Sequence, residues 1–178
     1  QGAAGTVTID NSLGAVTASG LQFATDGYVV DGDTLTLDGS PESIIRVGDG
    51  TAAGANITAT IAADIAGTAE LVKTDLGTLV LSGDNTYTGG TSLEDGALVL
   101  GGDNALGTGT LTTGAGTTVT MVDGVTLANA VALDGDTTFG TEVLPLGAPG
   151  AATISGTISG TGALIRTDRS DLTLTGVN

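Results

Sequence analysis

Leu71–Leu100 reads L-V-K-T-D-L-G-T-L-V-L-S-G-D-N-T-Y-T-G-G-T-S-L-E-D-G-A-L-V-L. Thr78–Leu81 and Ala97–Leu100 are short aliphatic strands, and the stretch between them, with Asp84, Asn85, Gly89 and Gly90, reads as a turn-rich linker. Side chains alternate along a strand, so Leu79 and Leu81 share one face while Thr78, Val80 and Ser82 share the other. The leucine face is the core face.

The pattern returns near the end of the chain. Under one constant shift, Ile61, Ile65, Gly67, Leu71, Leu79, Leu81, Gly83 and Asn85 meet Ile154, Ile158, Gly160, Leu164, Leu172, Leu174, Gly176 and Asn178, and Lys73 meets Arg166. Two related segments, 61–100 and 154–178, in one region spanning residues 1–178 imply a rod of stacked turns in which similar rungs recur. The second segment stops at Asn178, before any counterpart of T-Y-T-G-G-T, so the chain is expected to be a section cut inside a repeat.

The 178 residues carry a net charge of −16 with only 4 Lys+Arg, which argues against nucleic acid or an anionic membrane surface as partner. His and Cys are absent, which removes imidazole bases, thiolate nucleophiles, the usual zinc ligands and disulfides together. Apolar residues make up 40% and aromatics 2%, so Val, Leu, Ile, Ala and Thr must fill the interior. Such residues suit a narrow interior of constant width, as in a β-solenoid. Val143–Ile165 carries no charge, but its Pro and Gly among Thr and Ser argue against a membrane helix. Gln1 follows no initiator Met and no leader, so an export signal is expected to have been removed or to lie outside this sequence.

In chain order, strands are expected at 6–10, 15–23 with a break at Gly20, 28–30, 34–38, 44–47 and 57–61. Further strands follow at 110–113, 117–122, 125–127, 130–133 and 137–139. Asp31-Gly32-Asp33 and Gly48-Asp49-Gly50 supply turns, and Thr51–Ala55 is softer. Ala59–Ala66 is the one place where a helix competes, and its β-branched residues favour strand. Connections are short and no crossover helix is available, so parallel pairing requires a coil that returns beneath itself. The expected fold is all-β, a parallel β-helix.

These residues resemble the passenger domains of bacterial autotransporters. Leu71–Leu100 is similar to the passenger-associated transport repeat, followed by Asp103-Asn104-Ala105-Leu106-Gly107; Ser19–Leu37 and Ile45–Thr51 look like the same family. The resemblance implies a right-handed parallel β-helix, export across the Gram-negative outer membrane to the cell surface or medium, and a C-terminal translocator barrel in the full-length protein. It further implies an adhesin-like role in attachment, autoaggregation or biofilm formation, with virulence as the setting. No aromatic-girdled barrel strands occur in this sequence, so direct membrane insertion by this section is not expected.

The candidate sites carry little chemistry. Asp31, Asp33, Asp49, Asp123, Asp134 and Asp136 could ligate calcium, but neither the EF-hand spacing nor the β-roll nonapeptide is present, and Asp-Gly suits tight turns by itself. Paired acids could equally serve a glycan-active β-helix enzyme, but without His or an aromatic platform a non-enzyme is the better reading. No metal, cofactor or catalytic residue is assigned. Asn85, Asn104 and Asn178 are expected to form an amide ladder at the bends, and Lys73 with Asp75 and Arg166 with Asp168 to form solvated local pairs. Thr6-Val7-Thr8, Thr34-Leu35-Thr36, Thr118-Val119-Thr120 and Thr173-Leu174-Thr175 each place two hydroxyls outward around an inward apolar residue. An ice-binding array of this kind would need even spacing on one sheet, which these triplets lack. What remains is an extended face that self-associates or meets a host-surface protein or glycan, or a stalk that presents another domain. The structural repeat positions are Leu79, Leu81, Gly83, Asn85, Gly89, Gly90, Leu172, Leu174, Gly176 and Asn178.

Overall fold

The computed structural model describes residues 3–142 and 150–177. Strands are numbered in chain order. One sheet of eight runs β1 (Thr6–Ile9), β4 (Tyr28–Gly32), β7 (Thr58–Ile61), β10 (Thr78–Leu81), β12 (Ala97–Leu100), β14 (Thr118–Met121), β17 (Thr137–Thr141) and β20 (Leu164–Ile165). A sheet of seven runs β3 (Gly20–Phe23), β6 (Glu42–Val47), β9 (Glu70–Thr74), β11 (Thr91–Leu93), β13 (Leu111–Thr113), β16 (Val131–Leu133) and β19 (Ile158–Gly160). The third face holds two three-stranded sheets, β2 (Val16–Ala18), β5 (Leu35–Leu37) and β8 (Ile65–Gly67), then β15 (Thr126–Leu127), β18 (Ala151–Ile154) and β21 (Asp171–Leu174).

Successive strands visit the eight-stranded sheet, the third face and the seven-stranded sheet in turn, and each pairs in parallel with its counterpart one coil later. That is a parallel β-helix. Between β8 and β15, residues 82–90 and 101–110 pass across the third face without a strand. Their backbones still bond the neighbouring coil, Thr86 N to Ile65 O at 2.8 Å and Thr108 N to Tyr87 O at 3.1 Å.

The pleat explains the core. In the eight-stranded sheet one inward row stacks Ala59, Leu79, Leu98, Val119 and Phe139, and the next stacks Ile61, Leu81, Leu100, Met121 and Thr141. Leu79, Leu81, Leu98 and Leu100 are fully buried, and each buried leucine contributes roughly 2 kcal/mol of transfer free energy. Rows of similar aliphatic side chains at a fixed spacing make up most of the interior, with Phe23, Tyr87 and Phe139 buried among them.

Several local readings are corrected. The linker between Thr78–Leu81 and Ala97–Leu100 contains a strand, β11, whose Thr91 and Leu93 point inward. Three residues after Gly89-Gly90 are too short a run for alternation to stand out. Ala59–Ala66 is β-structure but bends between β7 and β8 at Ala62–Asp64, and Thr51–Ala55 lies largely within a 3-10 turn, Ala52–Asn56. The uncharged span contributes β18, β19 and β20, its residues 143–149 lying outside the described ones.

The repeat survives at the level of backbone geometry but changes face. β7, β8, β9 and β10 correspond to β18, β19, β20 and β21 under the sequence shift, and Ile61 pairs with Leu81 as Ile154 pairs with Leu174. Gly67 and Gly160 end equivalent strands with φ of +122° and +108°, a region that side chains disfavour. Yet β7 lies in the eight-stranded sheet and β18 on the third face. The copy is rotated by one face around the rod.

Candidate interaction surface

Outward residues of the eight-stranded sheet form two rows. Thr58, Thr78, Ala97, Thr118, Thr138 and Ile165 make one, and Thr60, Val80, Val99, Thr120 and Gly140 the other. From β7 to β20 no strand of this sheet contains a charged residue. The seven-stranded sheet carries Glu42, Arg46 and Glu70 on the outer side of β6 and β9, and its strands are uncharged from β11 to β19.

The acids collect at the corners. Each strand of the eight-stranded sheet is soon followed by one: Asp10, Asp33, Asp64, Asp84, Asp103, Asp123, Glu142 and Asp168 in turn. Asp33 accepts Asn11 N–H at 2.8 Å, Asp64 accepts Asp84 N–H at 2.8 Å, Asp103 accepts Thr126 N–H at 2.7 Å, and Asp123 accepts Ala151 N–H at 2.7 Å. At the opposite corner Asp26 accepts Thr58 N–H at 2.8 Å and Asp136 accepts Ala163 N–H at 2.9 Å. Each bond joins neighbouring coils, so these carboxylates satisfy backbone donors where the chain leaves a strand.

The other acids weighed as calcium ligands are engaged locally or stand at turns: Asp49 caps Thr51 N and Oγ1, and Asp31 accepts Gly32 N–H. The Thr51 hydroxyl and N–H hold the Asp49 carboxyl below its ordinary value. Among the described residues no three of His, Cys, Asp and Glu converge to hold a metal ion.

Lys73 is the main correction to the site reading. It is fully buried, its stem between Ile45 and Leu93 in the inward row. Its Nζ donates to the carbonyls of Thr74 at 3.1 Å, Asp75 at 2.6 Å and Asp95 at 3.0 Å, three donors for three acceptors on two successive coils. Burial pushes the ammonium down to about 8, against the opposing pull of the Asp75 and Asp95 charges. Asp75 bonds Arg46 at 3.3 Å and Gly50 N at 3.1 Å instead. The pleat carried a signal, because Leu71 and Lys73 have the same parity along β9.

Arg166, the repeat counterpart, also binds carbonyls, Phe139 O at 3.1 Å and Ser170 O at 2.7 Å, and it pairs with Asp168 in a half-buried contact. Asp168 accepts Thr141 N–H at 2.9 Å from the preceding coil, as Asp75 accepts Gly50 N–H. Burial pushes the Asp168 carboxyl up, but the Thr141 N–H, the Ser170 hydroxyl and the Arg166 charge outweigh it and hold it below its ordinary value.

The amide ladder has different members. Asn85 is buried, its Oδ1 accepting Ile65 N–H at 2.7 Å and its Nδ2 donating to Ala105 O at 2.6 Å. Asn104 points outward, and Asn129 takes the inward position, donating to Gly107 O at 3.1 Å and Gly109 O at 2.7 Å. Asn178 lies outside the described residues. An Asn inside the apolar run Val125–Leu133 was the available signal for Asn129.

Of the repeat positions, Leu79 and Leu81 are buried, Leu172 is half-buried, and Leu174 is 49% exposed. Gly83, Gly89 and Gly176 lie against the backbone of a neighbouring coil, and Gly90 turns with φ +90°. The Thr-x-Thr triplets fall on different sheets, and while Leu35 and Val119 point into the core, Val7 is 52% exposed. Asp103, Asn104, Gly107, Thr108, Ala128 and Asn129 line a shallow recess on the third face.

Residues 71–100 match the family described as passenger-associated-transport-repeat. Over 182 aligned positions, 98% of this chain, the sequence is 46% identical to the adhesin BmaC autotransporter of Brucella suis biovar 1 (strain 1330). The chain belongs to the autotransporter passengers. It spans 5% of the length of that relative, and no solved structure matches. Membership in the autotransporter passengers carries a location, export through the Gram-negative outer membrane to the cell surface or the medium. No helix among the described residues is long and apolar enough to cross a membrane.

Proposed function

We propose that this passenger section is adhesive, a non-enzymatic stretch of rod that mediates cell attachment, autoaggregation or biofilm formation through a long side face. The observation that supports this reading is the uncharged outer face of the eight-stranded sheet, running from β7 to β14 before the Asp168 carboxylate reaches the outer side of Gly140 in β17, in a chain of net charge −16. A face of half-buried Thr, Val and Ala offers many small contacts and no pocket, which suits an adhesion built from repetition. The similarity to a protein named as an adhesin agrees with it. The partner is another such rod or a host-surface protein or glycan, and the translocator barrel belongs to the longer protein.

One observation favours a stalk instead: most of the Asp carboxylates bonded to a neighbouring coil, and both buried amides, hold one coil to the next. The two readings separate when inert beads carrying the chain are applied to one another and to host-cell layers. Adhesion blocked by soluble chain supports the adhesive section. Beads that bind neither, with circular dichroism showing folded β-structure, leave the stalk.

A further inference from the structure

We propose that Asp31-Gly32 is a self-modification site, at which the Asp31 side chain cyclises onto the Gly32 nitrogen and reopens as isoaspartate. This goes beyond the adhesive reading and does not depend on it. The reaction needs an Asp carboxyl beside the nitrogen of the next residue, and Gly has no side chain to obstruct the ring. Asp-Gly pairs begin at Asp26, Asp31, Asp38, Asp49, Asp95, Asp123 and Asp134. The fold, not the dipeptide, tells them apart.

In five of these pairs the glycine N–H is held elsewhere. Gly27 N donates to Thr58 O at 2.8 Å, Gly124 N to Ala151 O at 2.8 Å and Gly135 N to Thr113 O at 3.3 Å. Gly39 N donates to Ser43 Oγ at 3.1 Å, and Gly50 N to Asp75 Oδ2 at 3.1 Å. Gly96 is wedged against its neighbouring coil: a Cβ there would meet Gly77 O at 2.5 Å, and Lys73 Nζ fixes the Asp95 carbonyl at 3.0 Å. Among the Asp-Gly pairs only Gly32 N donates to its own Asp, reaching Asp31 Oδ1 at 2.7 Å. Leu76 N makes the like contact with Asp75 Oδ1 at 3.0 Å, but the leucine side chain obstructs closure, and Arg46 and Gly50 hold the other carboxylate oxygen.

The end of a strand pairing creates this contact. β4 pairs with β7 only as far as Val30 and Ile61, where Val30 O accepts both Ala62 N–H and Ala63 N–H. Backbone groups alternate sides along a strand. Asp33 N donates to Ile9 O at 3.0 Å on the β1 side, so Gly32 N–H faces the β7 side, beyond the last paired rung. It finds the Asp31 carboxylate instead. Both residues are exposed, so water reaches the ring, and Gly32 sits at φ +104°, where glycine turns without strain.

The chemistry balances without a co-reactant. The Gly32 nitrogen attacks Cγ of the Asp31 carboxylic acid; the new N–Cγ bond closes a five-membered imide, and the carboxyl OH leaves with the amide proton as water. Water then adds to either ring carbonyl. Breaking the N–Cγ bond restores Asp31, whereas breaking the bond from nitrogen to the Asp31 main-chain carbonyl carbon leaves a backbone one methylene longer. That methylene enters the rung where Thr8 pairs with Asp31 and Ile9 with Gly32, just before the bonds of Asp33 to Asn11 N and Ile9 O. The first coil therefore loosens while later coils keep their register.

The test ages folded chain and denatured chain side by side at neutral pH and physiological temperature. Isoaspartate is then mapped by mass spectrometry after digestion with a protease that cleaves before Asp but not before isoaspartate. In the folded chain Asp31 should convert about tenfold faster than Asp26 or Asp123, a barrier difference of about 1.4 kcal/mol; in the denatured chain the three should convert alike. Asp31→Glu keeps the charge but enlarges the ring, so it should abolish conversion at this position and retain, after ageing, the hydrogen-exchange protection of β1 that the parent loses. Equal rates at the three positions in the folded chain overturn the proposal. So does a preference for Asp31 of the same size in the denatured chain, which would assign it to local sequence instead of the fold.

Discussion

Lys73, Asn85 and Asn129 show how single residues hold the coils together. Lys73 places three N–H donors on three part-buried carbonyls of two successive coils, so Lys73→Met removes all three bonds. A hydrogen bond from a charged donor contributes about 1.5–3 kcal/mol, and with water able to reach part of the vacated acceptors the variant should lose about 2 kcal/mol in denaturant titration. Between pH 8 and 10, the unfolded chain binds more protons at this lysine than the folded chain, whose value is about 8. Parent stability should therefore rise relative to Lys73→Met across that window. Above pH 10 the buried Tyr87 works in the opposite direction, since burial raises its phenol and the folded chain holds that proton longer.

The amides give a sharper contrast. Asn85→Ala and Asn129→Ala each strand buried backbone groups and should cost about 3 kcal/mol, whereas Asn104→Ala, at the surface, should stay within about 0.5 kcal/mol. Chemical denaturation of the three variants checks this. The Thr141 hydroxyl is buried without a hydrogen-bond partner among the described residues, so Thr141→Val should stabilise the chain by about 1 kcal/mol in the same assay.

At the scale of elements, the unit is a strand on its predecessor in the coil below. Leu98 stacks between Leu79 and Val119 with no exposed surface. Leu98→Ala should cost about 3 kcal/mol or more, because rows above and below cannot close the cavity without losing register; a thermal melt reads this directly. Alternation in Thr78–Leu81 and Ala97–Leu100 made the core rows legible in the sequence, as did the lack of any crossover helix for parallel pairing. The strand Thr91–Leu93 was not legible, since its inward residues are one Thr and one Leu directly after two glycines. Lys73 was misread because charge was weighed before parity. The rotation of the repeat by one face was hidden for a different reason: the shift preserves strand order and local hydrogen bonding, while the face depends on how many strands each intervening coil contains.

On the scale of the whole molecule, charge is arranged rather than merely abundant. Many of the acids sit at corners, where they accept neighbouring-coil N–H groups, and the eight-stranded face between them is neutral from β7 to β14. Added salt screens the edges without touching the neutral rows, so self-association should strengthen as salt rises; weakening in salt would mean that ion pairs hold the copies together.

The most direct measurement is homotypic clumping of beads coated with the chain, followed with and without excess soluble chain at low and high salt. The adhesive account predicts clumps that soluble chain disperses and that salt enlarges. Beads that remain single at every salt concentration, with folded chain on their surface and no attachment to host cells, would contradict it.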